Sequence, residues 1–462
     1  MSRASLSLLS LLVGGAAGAL GGCTEEKGEA TASLATVMTV TWETSEPGSS
    51  VVEWGYDESY VYQTLEATDS VTEHRVVVAG MAPGRRVYWR ARSEVAGGTW
   101  TSEGHIVDIP EGYATLSPVT LDQSAPGFTR GFRLIPVSGH PSGVILVDDG
   151  GEEVWAVAVA EGLTPMQAWL DHDGTHVLYL IEDTRRTEDV GGIVRISLDQ
   201  SEVEYYPLHY AHHGFLQMAD GAFLYLATDP REVDGVAIAG DALMRVDADG
   251  LNPTMLYSTW DQFTPDVAAL QKDGGIYYPD WLDWTHANAI NWRPDGTLLL
   301  SLHNISTIVN LELGEGDAPA TVRWTMVGAG NDAGTDGDFD YQGAFSDLFD
   351  RQHHPVATDA GILVFDNGAN VPGEYSEAVE YAVDEAARTF TPVWDFEWGQ
   401  AVQVPFDGDV QRLASGNTLI DWGSASYVTE VTPAGEIVWQ INNAGQIIGF
   451  MQQYAQIGGP VP

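Results

Sequence analysis

Seven of the twelve histidines in this chain fall between His209 and His354, and most of them sit in three short segments just ahead of stretches that read as strand, turn, strand. The segments are Ala211-His212-His213-Gly214-Phe215, Trp284-Thr285-His286-Ala287-Asn288 and Arg351-Gln352-His353-His354-Pro355, the last followed by Phe365-Asp366-Asn367-Gly368. Near neutral pH an imidazole can serve as base, nucleophile, cation or metal ligand, so several brought together describe a reaction site better than a core. Strand side chains alternate between faces, so His212 and His213 are not both expected to point inward, and His212 is the better structural candidate. His286 and Asn288 share a strand face, which lets the amide orient the ring. Asp366-Asn367-Gly368 reads as a scaffold turn, because Asn and Gly tolerate left-handed backbone. His209 reads as surface.

The elements that must position these residues are β throughout. From 116 to 462 the chain repeats a loose unit, clearest in Asp295-Gly296-Thr297-Leu298-Leu299-Leu300 running on to Val322-Arg323-Trp324, and in Ser415-Gly416-Asn417-Thr418-Leu419-Ile420 running on to Ile437-Val438-Trp439. In the same register, aromatic-ended strands fall at Trp155, Tyr205, Tyr257, Trp324, Trp394 and Trp439. Six such marks predict a six-bladed β-propeller of four short strands per blade, with a seven-bladed ring containing one degenerate blade as the alternative. A propeller delivers side chains from the inner strands of successive blades to one central channel, which is where the histidine segments would meet. A short helix is expected around Ser376 to Ala387.

Residues 32–112 show a different rhythm: Val37 to Trp42, Ser50 to Tyr56, His74 to Val78 and Val87 to Arg92 alternate apolar and polar residues, with turns at Glu46-Pro47-Gly48 and Ala82-Pro83-Gly84. With Pro83-Gly84 ahead of Tyr88-Trp89-Arg90, this small β-sandwich resembles a fibronectin type III domain, expected to space or pack. At the N-terminus, Arg3, an apolar run from Leu6 to Leu20 and then Gly21-Gly22-Cys23 read as a secretory signal over 1–22. Cys23 resembles the acylated cysteine of bacterial lipoproteins, with 23–31 as the tether. That resemblance implies export and attachment to the membrane through Cys23, and Thr24, not being Asp, points to the outer membrane and periplasm. There is no second cysteine, so an intrachain disulfide or thiolate metal site is excluded.

The 66 acidic against 20 basic residues give a net charge of -46. Such a surface repels phosphate polyanions, so nucleic acid is not an expected partner, and an anionic substrate requires a locally positive pocket.

The order His-His, then His-x-Asn with Gly296-Thr297-Leu298-Leu299-Leu300-Ser301, then Gln352-His353 and Phe365-Asp366-Asn367-Gly368, resembles the bacterial arylsulfotransferase family over roughly Pro126 to Trp439. The resemblance implies an exported propeller that moves a sulfuryl group from a phenolic sulfate ester to a phenol without a nucleotide donor or other cofactor. His353 then corresponds to the nucleophile that becomes a transient sulfohistidine. His213, His286 and His303 would stabilise sulfuryl oxygens or exchange the phenolic proton, and His212, Asn288 and Arg351 are candidate substrate contacts. One departure stands out: where the family has Ser-x-Arg after the Leu298 strand, this chain reads Ser301-Leu302-His303, and an imidazole is a fixed cation only when protonated. Arg351 or Arg293 is the candidate replacement.

Two other functional classes fit the same residues. Three or four imidazoles around a channel could hold zinc, copper or iron, although no His-x-His cluster is present and no metal is assigned on sequence grounds. A ligand-binding propeller lipoprotein without catalysis is the third reading. Asp336, Asp338 and Asp340 have the spacing of a calcium loop, but Tyr341 stands where that loop needs glycine, so a solvated acidic loop is expected.

Overall fold

The computed structural model describes residues 29–461 apart from 112–114, 184–190, 268–269, 271–280, 331–335, 369–374 and 400–401. The signal segment, Cys23 and most of the tether therefore lie outside the described residues. What is described is strands joined by turns with almost no helix, in sheets that are antiparallel apart from two short parallel pairings.

Six sheets follow one another along the chain after residue 130. Their strands begin at Phe132–Ser138, Leu163–Leu170, Ala211–Gln217, Ala287–Trp292, His353–Ala357 and Asp409–Arg412, and each then meanders through antiparallel neighbours. The six aromatic marks fall one per sheet, each in the outermost strand of its meander. In five sheets a bulge inserts one residue just before the aromatic: Val154, Leu256, Arg323, Val393 and Val438. An extra residue bends the strand and adds right-handed twist, which turns the sheet's outer edge away from its neighbour.

Successive sheets are tied to one another in order. Phe450 N donates to Met166 O at 2.8 Å, Phe215 N to Gln167 Oε1 at 2.7 Å, Ala287 N to Asp241 Oδ2 at 2.8 Å, and Asn288 Nδ2 to Gln352 O at 2.9 Å. His354 meets Asp409, and Gln453 N donates to Gln411 Oε1 at 3.0 Å, which returns to the first sheet. Two further strands fasten the ends: Thr120–Ser124 pairs with Ile437–Asn442 of the last sheet, and Gln452–Tyr454 pairs with Phe132–Ser138 of the first. Arg133, fully buried, lies across this junction with Asp149 at 2.9 Å, Glu430 at 3.3 Å and the Trp439 ring 4.3 Å away.

Glu377–Asp384 is a strand, not the expected helix. It is hydrogen-bonded on both edges, to Gly361–Asp366 and Thr389–Glu397, and this pairing overrides the local helical tendency of Glu and Ala. Asp336, Asp338 and Asp340 are exposed, but Asp338 accepts from Thr325 and Asp340 begins a short strand paired with Thr389, so only Asp336 matches the expected solvated loop.

The N-terminal residues form one connected sheet in which Val37–Gly55 pairs first with Ala67–Val78 and then with Arg86–Val95. It shares a core with the first two of the six sheets. Trp54, Tyr62 and Phe132 form one aromatic cluster, with Tyr62 4.7 Å from Trp54 and 5.4 Å from Phe132, and Val77 N donates to Gly459 O of the C-terminal tail at 2.9 Å.

Candidate functional site

The histidine segments converge because the inner strand of each contributing sheet is interrupted at its start. The register slips between His212 and Phe215, between Ala287 and Ala289, and between His353 and Val356. At the same places His213, His286 and His354 take left-handed backbone, with φ of 53°, 49° and 45°, as does Arg351 at 53°. Non-glycine residues there cost about 1–3 kcal/mol each and concentrate where the surroundings impose a functional geometry. Strand alternation therefore fails at His212-His213, and both rings are buried within the same cluster.

Four rings run in file. His213 stands edge-on to His286 at 4.9 Å between centroids, His286 is 5.3 Å from His303, and His303 is 4.9 Å from His353. His213 and His353 are buried, whereas His286 and His303 are half-buried, so the middle of the file is its more exposed part. His212 meets His213 through Nδ1 atoms 3.0 Å apart and sets its Nε2 3.1 Å from Asp241.

The groups behind the rings divide them into two kinds. Asp283 faces His286 Nδ1 at 2.5 Å, and Asp241 backs the His212-His213 pair while also accepting from the Thr285 hydroxyl and the Ala287 N–H. Burial pushes the Asp241 carboxyl up, but the hydrogen bond and charge of His212, with Thr285 and Ala287, hold it below the usual carboxylate range. Each of these two carboxylates accepts from the imidazole it faces, Asp283 from His286 and Asp241 from His212.

His353 and His303 are backed by amides instead. Asn367 Nδ2 donates to the carbonyls of Val404 at 2.8 Å and Asp407 at 3.0 Å, so its Oδ1 must be the atom 2.7 Å from His353 Nδ1. His353 Nδ1 is therefore the donor and Nε2 keeps its lone pair. Burial pushes the His353 ring down to about 3, opposed by the Asn367 bond. Burial also holds His303 well below its ordinary value, with His353, His286 and Arg351 adding to the effect. A buried neutral imidazole with a fixed tautomer and a free Nε2 is a nucleophile ready at neutral pH.

The remaining residues fall into place around this core. Gln352 reaches the neighbouring sheet through Ser301 Oγ at 2.9 Å and Thr307 O at 3.1 Å, which fixes the backbone ahead of His353. Asp366 Oδ1 accepts from Asp350 N and Gly368 N, so the expected turn is scaffold at Asp366 but holds the His353 ring at Asn367. Asn288 does not orient His286: its amide donates to Gln352 O, and the ring is oriented by Asp283. Arg351 reaches the file through Asn304, while Arg293 faces outward, paired with Asp295 and Glu385. His209 is exposed against Tyr210. Half-buried Asp407, opposite His286, is pushed up to about 7 by burial and by Glu182, with His286 opposing.

Sequence reasoning did not find Asp241, Asp283, Asn304 or Asn367 as partners of the rings. Asp283 and Asn304 lie three residues and one residue from their histidines and carried a local signal, whereas Asp241 and Asn367 arrive from other strands. Among the described residues no group of three or more His, Cys, Asp or Glu side chains is arranged to hold a metal ion, since the rings are filed edge to face instead of aiming at one point.

Residues 120–456 match the family model described as Arylsulfotransferase (ASST). No curated protein matches the chain. Among solved structures, a protein of unknown function from Bacteroides caccae is 15% identical, covering 70% of this chain and 99% of its own, with a TM-score of 0.44. Virginiamycin B lyase from Staphylococcus aureus is 10% identical, with 70% and 88% covered and a TM-score of 0.36. A protein from Lactobacillus plantarum is 11% identical, with 88% and 99% covered and a TM-score of 0.38.

Proposed function

The chain belongs to the arylsulfotransferase family, and we propose that it moves a sulfuryl group from a phenolic sulfate ester to a phenol through a sulfohistidine at His353. The observation that carries this reading is the pair of bonds that pin Asn367, because they leave His353 neutral with its Nε2 lone pair available. In the first half-reaction that lone pair attacks sulfur, the ester S–O bond breaks, and the electron pair leaves on the phenolic oxygen. His286, which faces the Asp283 carboxylate, and His213, which faces His212, supply protons or positive hydrogen bonds to the leaving oxygen and the sulfuryl oxygens. In the second half-reaction an acceptor phenol attacks the sulfohistidine and the pair returns to Nε2.

In this reading the six tied sheets are the blades of a propeller, and the closed sequence of ties between successive sheets supports it. The N-terminal sheet is a fibronectin type III-like unit that packs against the catalytic domain, and the chain is exported and lipid-anchored at Cys23 to the outer membrane.

The test is release of nitrophenol from 4-nitrophenyl sulfate by the purified mature protein, with and without phenol, beside His353→Ala. Release that phenol accelerates and His353→Ala abolishes supports the proposal. No release from a folded protein sinks it for ordinary aryl sulfates.

A further inference from the structure

We infer that His303 is the base that takes the acceptor's phenolic proton and that Arg351, acting through Asn304, is the residue that sets it for that task. The inference rests on the sulfuryl-transfer reading above and assigns a role within the same site.

Two contacts fix which nitrogen of His303 carries the hydrogen. Asn304 Oδ1 lies 3.0 Å from His303 Nδ1 and 3.1 Å from Arg351 Nη1. A guanidinium can only donate, so the atom of Asn304 that faces it is the oxygen, whichever way the amide would otherwise turn. That oxygen must also accept from His303, which puts the hydrogen on Nδ1 and leaves a lone pair on Nε2. A neutral ring of this tautomer cannot donate to a sulfuryl oxygen through Nε2, because two lone pairs would face each other. It can accept a proton. Arg351, the adjacent rings and burial all disfavour the charged form of the ring before substrate binds.

Position agrees with this assignment. His303 is the ring next to His353, 4.9 Å away, and it is half-buried where His353 is buried, so it is the more exposed of the two to an incoming acceptor. Once His353 carries an anionic sulfuryl group, that charge favours protonation of the neighbouring ring at the moment a base is needed. The step balances: the acceptor O–H bond breaks as its proton joins His303 Nε2, the acceptor oxygen forms a bond to sulfur, and the S–N bond breaks with its electron pair returning to His353 Nε2. The proton on His303 then returns to solvent or to the leaving oxygen of the next donor.

The experiment separates the half-reactions. The protein is mixed rapidly with 4-nitrophenyl sulfate to read the nitrophenol burst, and discharge of the sulfo-enzyme is followed with phenol and with pentafluorophenol, which is ionised at neutral pH. In His303→Gln, discharge to phenol is expected to fall roughly 100-fold, the scale of one lost general base. Discharge to pentafluorophenolate, which brings no proton, and the burst, whose leaving group needs little help, fall far less. An equal loss in all three overturns the inference in favour of a structural or oxygen-holding role. Asn304→Leu, which frees the tautomer, is expected to reproduce the selective loss in milder form. If neither variant folds, the wild-type protein still decides: a solvent deuterium isotope effect on discharge to phenol that is absent with pentafluorophenol supports the base, and the same effect with both overturns it. A wild-type protein that gives no burst removes the transfer reading itself, a result distinct from an unselective loss in His303→Gln.

Discussion

The side-chain oxygen of Asn367 accepts the Nδ1–H of His353 at 2.7 Å, while the amide hydrogens of the same residue are held by the carbonyls of Val404 and Asp407. The amide cannot flip without losing both carbonyl bonds, so the tautomer of His353 is set from three sides. A neutral backing group also leaves the ring uncharged, which an aspartate in the same place would not.

Replacing Asn367 therefore separates orientation from charge. Asn367→Ala is expected to lower kcat/KM for aryl sulfates by roughly 100-fold or more, the scale of a ring free to adopt the wrong tautomer. Asn367→Asp keeps a hydrogen-bond acceptor but raises the ring's proton affinity from its low wild-type value of about 3. The ratio of variant to wild-type kcat/KM should then fall steadily from pH 8 to pH 5 as His353 becomes protonated and loses its lone pair. A ratio independent of pH would show that Asn367 does not govern the charge of His353.

Asp283 does the opposite for His286. Its carboxylate, 2.5 Å from Nδ1, favours the imidazolium that can hand a proton to a departing phenolate. Asp283→Asn is expected to slow transfer from phenyl sulfate about 10- to 100-fold, and to slow transfer from 4-nitrophenyl sulfate much less, since nitrophenolate leaves without a proton. Equal slowing of both donors would assign His286 to binding and not to acid catalysis.

The parts of this arrangement that were legible in the sequence are those with a local signal. Trp155, Tyr205, Tyr257, Trp324, Trp394 and Trp439 mark outer strands because an aromatic closes the same bulged corner in most of the sheets, and that corner is written in consecutive residues. The histidine segments were also visible, because each lies at the start of an inner strand. Alternation misjudged His212 and His213, since a bulge with left-handed backbone breaks the period of two at that place. Asp241 and Asn367 had no local signal. Each reaches its histidine from another strand, through a register that only the assembled sheets define. The Glu- and Ala-rich segment at Glu377–Asp384 shows the same limit, its strand being imposed by two neighbours.

Arg133 lies at the junction between the first and last of these sheets, its guanidinium fully buried between Asp149, Glu430 and the Trp439 ring. Glu430 is also buried and accepts from Thr129 and Asn417. Glu430→Ala leaves a buried guanidinium short of a counter-charge and is expected to cost about 3–5 kcal/mol. Arg133→Met with Glu430→Gln removes both charges together and should be milder than Glu430→Ala alone. Chemical denaturation of the three proteins measures this, and a double variant less stable than Glu430→Ala would mean that the pair contributes more than charge compensation.

Stability should also have a maximum in mild acid. Burial pushes Asp148 up to about 6, Glu153 to about 7 and Glu377 to about 8, the last with added repulsion from Asp366, Asp395 and other acids. Above pH 4.5 the unfolded chain has released these protons while the folded chain still holds them, so unfolding stability falls as pH rises from there through about 8. The histidines act in the opposite sense. His353 is lowered to about 3 and His303 well below its usual value, so below about pH 6.5 the unfolded chain binds protons that the folded site refuses, which offsets part of the carboxyl effect. Three carboxyls outweigh two histidines until the unfolded chain's own carboxyls take up protons, so the melting temperature is expected to be highest at about pH 4.5 and to decline as pH rises towards 8.5. Glu377→Gln should flatten that decline by removing the ionisation, and His353→Gln should steepen it below about pH 6.5. A melting temperature that rises steadily from pH 6 to pH 8.5 would mean that these carboxyl groups ionise as freely in the folded protein as in the unfolded chain.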